Sequence, residues 1–209
     1  MKKIYLIIAA AVMFCAVEAN AQIGVGIGYN MLHHVEKGFD EDFDGTLNGL
    51  YIEGTYDINL LENRWGELGI QPGLRLSFAG AKESEEIFGV VTKTSVNEVY
   101  LDLPIFAKYS YDFNVVKLSA FAGPVLSCGL SSDEKVSIGD NVVKTNYYGD
   151  DYTYGRYDIK FGVGVGITIK DNVTTKIGYN AGLLDRYTGN IDNSSLRTGI
   201  FYLGFGVDF

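Results

Sequence analysis

Apolar and polar residues alternate with a period of two along most of the chain, as β-strands with one apolar face require. Near 22–31, Ile23, Val25, Ile27 and Tyr29 share one face; Gly24, Gly26, Gly28 and Asn30 share the other. Near 47–58, Leu50, Ile52, Tyr56 and Ile58 oppose Tyr51, Glu53, Thr55 and Asp57. Near 67–80, Leu68, Ile70, Leu74, Leu76 and Phe78 oppose Gln71, Arg75 and Ser77; near 95–110, Val99, Leu101, Leu103, Ile105 and Ala107 oppose Glu98, Tyr100, Asp102 and Lys108. The fifth run, near 115–130, places Leu118, Ala120, Ala122, Leu126 and Leu130 against Lys117, Ser119, Phe121 and Ser127. Three more follow near 153–169, 173–183 and 196–209, the last with Phe201, Leu203, Phe205, Val207 and Phe209 on one face. Each of the eight runs is about 10–16 residues long, and a tilted membrane-crossing strand needs about 9–11.

The connections also alternate. Short links fall around 59–67, 112–114 and 170–172, and long polar stretches around 32–46, 81–94, 131–152 and 185–195. Short turns on one rim and long loops on the other predict an all-β fold: an eight-stranded antiparallel up-and-down transmembrane β-barrel. No helix and no second domain is predicted.

Alternation alone does not say which face is inside. A soluble periplasmic lipocalin-like ligand binder would bury its apolar face. Three features favour the inverted, membrane type. The polar faces balance Glu53, Asp57, Glu98, Asp102, Asp158 and Asp208 against Arg75, Lys108, Lys117, Arg156, Lys160 and Lys176, so the charges can pair inside. Glycines such as Gly24, Gly26, Gly28, Gly162, Gly164, Gly166, Gly204 and Gly206 crowd the polar face, as a narrow interior requires. Aromatics gather at strand ends (Tyr29, Tyr56, Trp65, Phe78, Tyr109, Tyr111, Phe113, Tyr179), which suggests interface girdles.

Composition narrows the function classes. The chain has 209 residues and a net charge of −9, which argues against a nucleic-acid partner, since phosphate binding needs a basic footprint. Although 47% of residues are hydrophobic, no internal run approaches the ~20 apolar residues of a membrane-spanning helix. Met1-Lys2-Lys3, the apolar run Ile4–Val17 and Ala19-Asn20-Ala21 read as a secretory signal peptide over 1–21, cleaved after Ala21, with the barrel domain at 22–209. Phe14 before Cys15 does not suit lipidation, and only Cys128 survives cleavage, so no internal disulfide is expected.

Five segments carry a resemblance. The closing strand, Phe201–Phe209, with its terminal aromatic resembles the signal by which the barrel-assembly machinery recognises outer-membrane barrels. Tyr100-Leu101-Asp102-Leu103-Pro104-Ile105-Phe106-Ala107-Lys108-Tyr109 resembles the corresponding strand of the PorT-like outer-membrane β-barrel family of Bacteroidota. Phe121–Pro124, Tyr157–Ile167 and Gly178–Asp185 resemble its later strands, in order. The resemblance implies an eight-stranded barrel in the cell outer membrane with periplasmic termini, and for one member type a role in protein secretion. It transfers no catalytic residue.

The candidate chemistry is sparse. Asp40, Asp42 and Asp44 before Gly45 match the opening of a calcium loop, three carboxylates able to converge on a hard cation. Tyr51 stands where the bidentate Glu would be, so the competing reading is a solvated acidic loop; no other cofactor is expected. His33 and His34, with Ser127, Ser131, Ser132 and Ser194 on the same rim, supply the parts of a lipid-modifying enzyme. Adjacent strand residues point to opposite faces, so at most one His could serve. Tyr147, Tyr148, Tyr152 and Tyr154 suit either protein or glycan contact or an interface girdle. The reading that emerges is an integral outer-membrane protein, not an enzyme, in contact with outer-membrane lipid. Its expected role is structural or as an interaction platform through its loops.

Overall fold

The computed structural model describes residues 21–37, 44–87, 90–139, 141–148, 154–170, 172–187 and 195–209. Nine strands appear in these residues: β1 (Ala21–Lys37), β2 (Asp44–Asn63), β3 (Gly66–Ile87), β4 (Val90–Asp112), β5 (Val116–Ile138), β6 (Asn141–Asn146), β7 (Tyr157–Ile169), β8 (Val173–Gly182) and β9 (Ser195–Asp208). All neighbours pair antiparallel, in the ring β1-β2-β3-β4-β5-β7-β8-β9, and β1 closes on β9 from Gly24↔Asp208 to Lys37↔Ser195. Closure leaves no unpaired edge within the ring, the condition for a sheet to cross hydrocarbon. The ninth strand, β6, pairs only with the far end of β5, from Asp133↔Asn146 to Ile138↔Asn141.

The apolar parity faces outward. Ile27 is 65% exposed and Leu50 66%, while Tyr51 between the neighbouring positions is 1% exposed. A soluble barrel would show the reverse. Tyr56 departs from this pattern: it shares the outward parity and pairs with Ile23, yet it is buried. On β3 the exposed apolar positions run from Leu68 to Phe78, which at about 3.3 Å per residue and about 45° of tilt makes a band roughly 23 Å tall. Trp65, Tyr109, Tyr111 and Phe113 edge it at the end holding Ala21 and Phe209, the terminal end; Tyr29 and Phe78 edge it toward the other, extended end.

At the terminal end the turns are tight. Gly66 at φ +129° follows the two-residue link of β2 to β3, and Asn114 at φ 71° sits in the link of β4 to β5. The left-handed region favours Gly and tolerates Asn. At the extended end the structure departs from the expected loops. The polar stretches around 81–94 and 131–152 are largely strand: β3 and β4 stay paired to Ile87↔Val90, and β5 and β6 form a hairpin. Beyond the lipid band both faces are wet, so backbone pairing continues without the hydropathy alternation that reveals it.

The interior is filled. Arg75 lies between the rings of Tyr51 (4.5 Å) and Tyr202 (4.0 Å) and pairs with Glu53 at 2.8 Å; Glu53 also holds Lys176. Lys108 pairs with Asp57 at 3.0 Å, Lys117 with Glu67 at 3.1 Å and Lys160 with Asp102 at 3.3 Å. Phe106 and Phe121 pack with ring centroids 5.1 Å apart. Gly28 and Gly204 make room for Tyr51: a Cβ at either position would run into its ring or hydroxyl. The spaces left beside this plug, among Glu53, Gln71, Lys108 and Lys176, amount to about 20 Å³, one water's worth.

Leu103 sits on the outward face, paired with Leu126 near the middle of the band. Leu103→Arg should cost about 2–4 kcal/mol of barrel stability. Folding into lipid vesicles, read as protease protection, should fall accordingly; undiminished folding of this variant would contradict the face assignment.

Candidate functional site

The extended end holds a chamber of about 280 Å³, lined among others by His34, Glu83, Glu98, Ser132, Tyr147 and Arg186. Six strands, β1 to β5 and β9, build it together with the connections that carry Tyr147, Tyr154 and Arg186. On β1, His34 follows the inward parity of Asn30 and Leu32 and pairs in register with Thr198 of β9. His33 takes the opposite face, where it stacks on Tyr179 with centroids 5.9 Å apart. The expectation that the two histidines part company is therefore met.

A β-bulge sets the far wall. Val99 of β4 pairs with Ser131 and Tyr100 with Gly129, so Leu130 is an extra residue on β5. An extra residue flips the parity of everything beyond it. Up to the bulge the odd positions of β5, such as Phe121, Val125 and Ser127, face inward; after it the even ones do, which brings Ser132 and Glu134 into the chamber.

The floor is one connected network. Glu98 accepts from Tyr100 Oη at 2.6 Å and Ser132 Oγ at 2.9 Å, and meets His34 Nε2 at 3.0 Å. A carboxylate only accepts, so Nε2 carries the proton. In the neutral ring Nδ1 then accepts from Thr198 Oγ1, 3.3 Å away. Arg186 lies below, 3% exposed. Its Nε donates to the Gly155 carbonyl (2.9 Å), its Nη1 to Tyr100 Oη and Thr198 Oγ1 (both 3.0 Å), and its Nη2 to Tyr148 Oη (2.6 Å). Tyr100 thus relays between the guanidinium and Glu98. Burial pushes the Tyr148 phenol above its ordinary pKa, so it remains a neutral acceptor for Arg186.

Three of the four hydroxyls named as nucleophile candidates are otherwise engaged. Ser132 lines the chamber but bonds Glu98 rather than His34. Ser127 accepts from Lys160 at 2.9 Å, Ser131 bonds Asp133 at 2.5 Å, and Ser194 lies outside the described residues. The hydroxyl that does meet His34 is Thr198, which is buried and also accepts from Arg186. Of the calcium candidates, Asp40 and Asp42 lie outside the described residues, and Asp44 opens β2 paired with Val35. Tyr147 and Tyr154 line the chamber with ring centroids 5.1 Å apart; Tyr152 lies outside the described residues.

Sequence reading missed Arg186, Thr198 and Glu134 as site residues. Arg186 has no periodic context, because it follows β8 in an irregular segment. Glu134 depends on the bulge, which leaves no mark in the alternation.

The fold and this geometry agree with the family comparison. Residues 16–188 match the family model described as outer membrane protein beta-barrel domain. The chain belongs to that family. The apolar outer wall of this outer-membrane barrel is its lipid-facing surface, and the chamber lies beyond it. Among solved structures the barrel is similar to Ail, the attachment invasion locus protein of Yersinia pestis, in complex with the heparin analogue sucrose octasulfate. The identity is 14%, over 91% of this chain and 100% of that one, with a TM-score of 0.49. It is similar to neisserial surface protein A at 16% identity, over 88% and 97%, TM-score 0.38. It is similar to the outer membrane protease OmpT from Escherichia coli at 10% identity, over 90% and 95%, TM-score 0.37. No curated protein matches the chain.

Removing Arg186 strands the hydroxyls and carbonyl it joins. Arg186→Ala should destabilise the barrel by about 3 kcal/mol, measured as the urea midpoint of the refolded protein. A midpoint equal to wild type would show that the floor network contributes nothing to stability.

Proposed function

We propose that this outer-membrane barrel is an interaction platform rather than a channel or an enzyme. One observation carries the reading: the ladder continues past the lipid band, through Ala81↔Val96 to Ile87↔Val90 and through Asp133↔Asn146 to Ile138↔Asn141. Paired strands hold a fixed shape, so the extended end presents a stiff sheet with a walled chamber beside it. Such a surface binds without first paying to order a loop. The filled interior supports a non-conducting role, and the engagement of Ser132 with Glu98 supports a non-catalytic one.

In this reading residues 1–21 are removed on export, the termini face the periplasm and the extended end faces outward. The partner is a protein or glycan. The resemblance of Tyr100–Tyr109 to the PorT-like family supports a role accessory to protein secretion. Asp40, Asp42 and Asp44 stand as candidate calcium ligands, the last of them at the start of β2.

Replacing residues 135–144 by Asn-Gly joins Glu134 to Thr145, which already pair, through a two-residue turn of the kind hairpins prefer. The shortened barrel should assemble normally. Surface cross-linking on intact cells should lose the adduct that wild type forms. An unchanged adduct in the shortened protein would contradict the platform reading.

A further inference from the structure

The projecting sheet of β3, β4, β5 and β6 segregates its charges by face. The chamber side carries Glu83, Glu98 and Glu134. The opposite side carries Lys82, Lys93, Lys135 and Lys144, all exposed. These four share one face by register. Lys82 pairs with Ser95, Ser95 with Lys135 and Lys135 with Lys144, a single row across four strands. Lys93, paired with Ser84 and Ser137, stands in the next row on that face. By register the face also carries two acids: Asp133, held by Ser131 and Asn146 at the base, and Glu86, opposite Val91 in the row beyond Lys93. Four lysines on one small surface stand out in a chain of net charge −9.

A second observation points to an anion. Lys135 and Lys144 are directly opposite on adjacent strands. Like charges in that position destabilise a sheet, and none of the four lysines has an ion-pair partner among the described residues. An anionic group between them would turn the repulsion into attraction.

The position of the face identifies the source. It continues the lipid-facing wall: Phe78 belongs to the apolar band, and Lys82 is the second outward position beyond it on β3. At about 3.3 Å per residue and about 45° of tilt, Lys82 stands roughly 9 Å past Phe78, at head-group depth. Basic residues at that depth meet the phosphates of the surrounding leaflet. We propose that Lys82, Lys93, Lys135 and Lys144 form a binding face for anionic lipid head groups of the leaflet at the extended end, clamping the projecting sheet to the membrane surface.

The test uses the full barrel in nanodiscs of phosphatidylcholine, with and without one part in three of phosphatidylglycerol. Phosphatidylglycerol should raise the thermal unfolding midpoint of wild type by about 3 °C or more at low salt. About 0.5 M salt, which shortens the Debye length to a few Å, should remove most of that rise. The variant Lys82→Gln/Lys93→Gln/Lys135→Gln/Lys144→Gln should match or exceed wild type in pure phosphatidylcholine and lose the rise. If that variant does not fold, Lys135→Gln/Lys144→Gln should lose at least half of it. A rise retained in full by these variants, or absent in wild type, would overturn the proposal. So would heparin in solution raising the wild-type midpoint in pure phosphatidylcholine as much as phosphatidylglycerol does, which would assign the face to a soluble polyanion.

Discussion

The pairing of β1 with β9 is the contact on which the rest of the structure depends. An open sheet in hydrocarbon would strand a row of backbone N–H and C=O groups at several kcal/mol each. The seam from Gly24↔Asp208 to Lys37↔Ser195 removes both edges at once. Eight strands then fix a narrow bore, and that width dictates the interior chemistry. Large side chains fit only beside small ones, so Tyr51 occupies the space that Gly28 and Gly204 leave. Charges fit only in pairs, so Glu53 carries both Arg75 and Lys176. A bore closed in this way is packed among the described residues, and the open chamber lies at the extended end.

There the constraint relaxes. Once past the lipid, strands need no apolar face, and a ring need not stay closed. The sheet splits: β2 pairs with β3 only as far as Asn48↔Gly80, while β3, β4, β5 and β6 continue together. The bulge at Leu130 turns Ser132 and Glu134 inward just where the bore opens. The chamber is thus a product of two departures from ideal barrel geometry. Its floor, joined through Glu98, Tyr100 and Arg186, separates it from the packed plug below.

How much of this the sequence shows depends on what the bilayer enforces. Within the lipid band most outward residues are apolar, so hydropathy alternation reports strands and faces faithfully: Ile23 to Tyr29, Leu68 to Phe78 and Phe201 to Phe209 all point as their parity says. Tyr56 shows the limit, since a residue of the right parity can still be covered by its neighbours. Beyond the band the strand signal passes from hydropathy to charge sign, as in Lys82 followed by Glu83, which a search for apolar alternation reads as a loop. The bulge is invisible because Leu126, Leu130, Ser132 and Glu134 are all even positions on either side of a change of face. Arg186 belongs to no strand, and only the folded chain brings it under Tyr100 and Tyr148.

The central claim is a closed barrel with its apolar face turned to lipid. It is tested most directly by electrophoresis of the outer-membrane fraction in detergent, with and without boiling. A closed membrane barrel keeps its shape in detergent until heated, so the account predicts the protein in that fraction and a slower band after boiling. Protein released in the soluble periplasmic fraction, with the same mobility before and after heating, would contradict it.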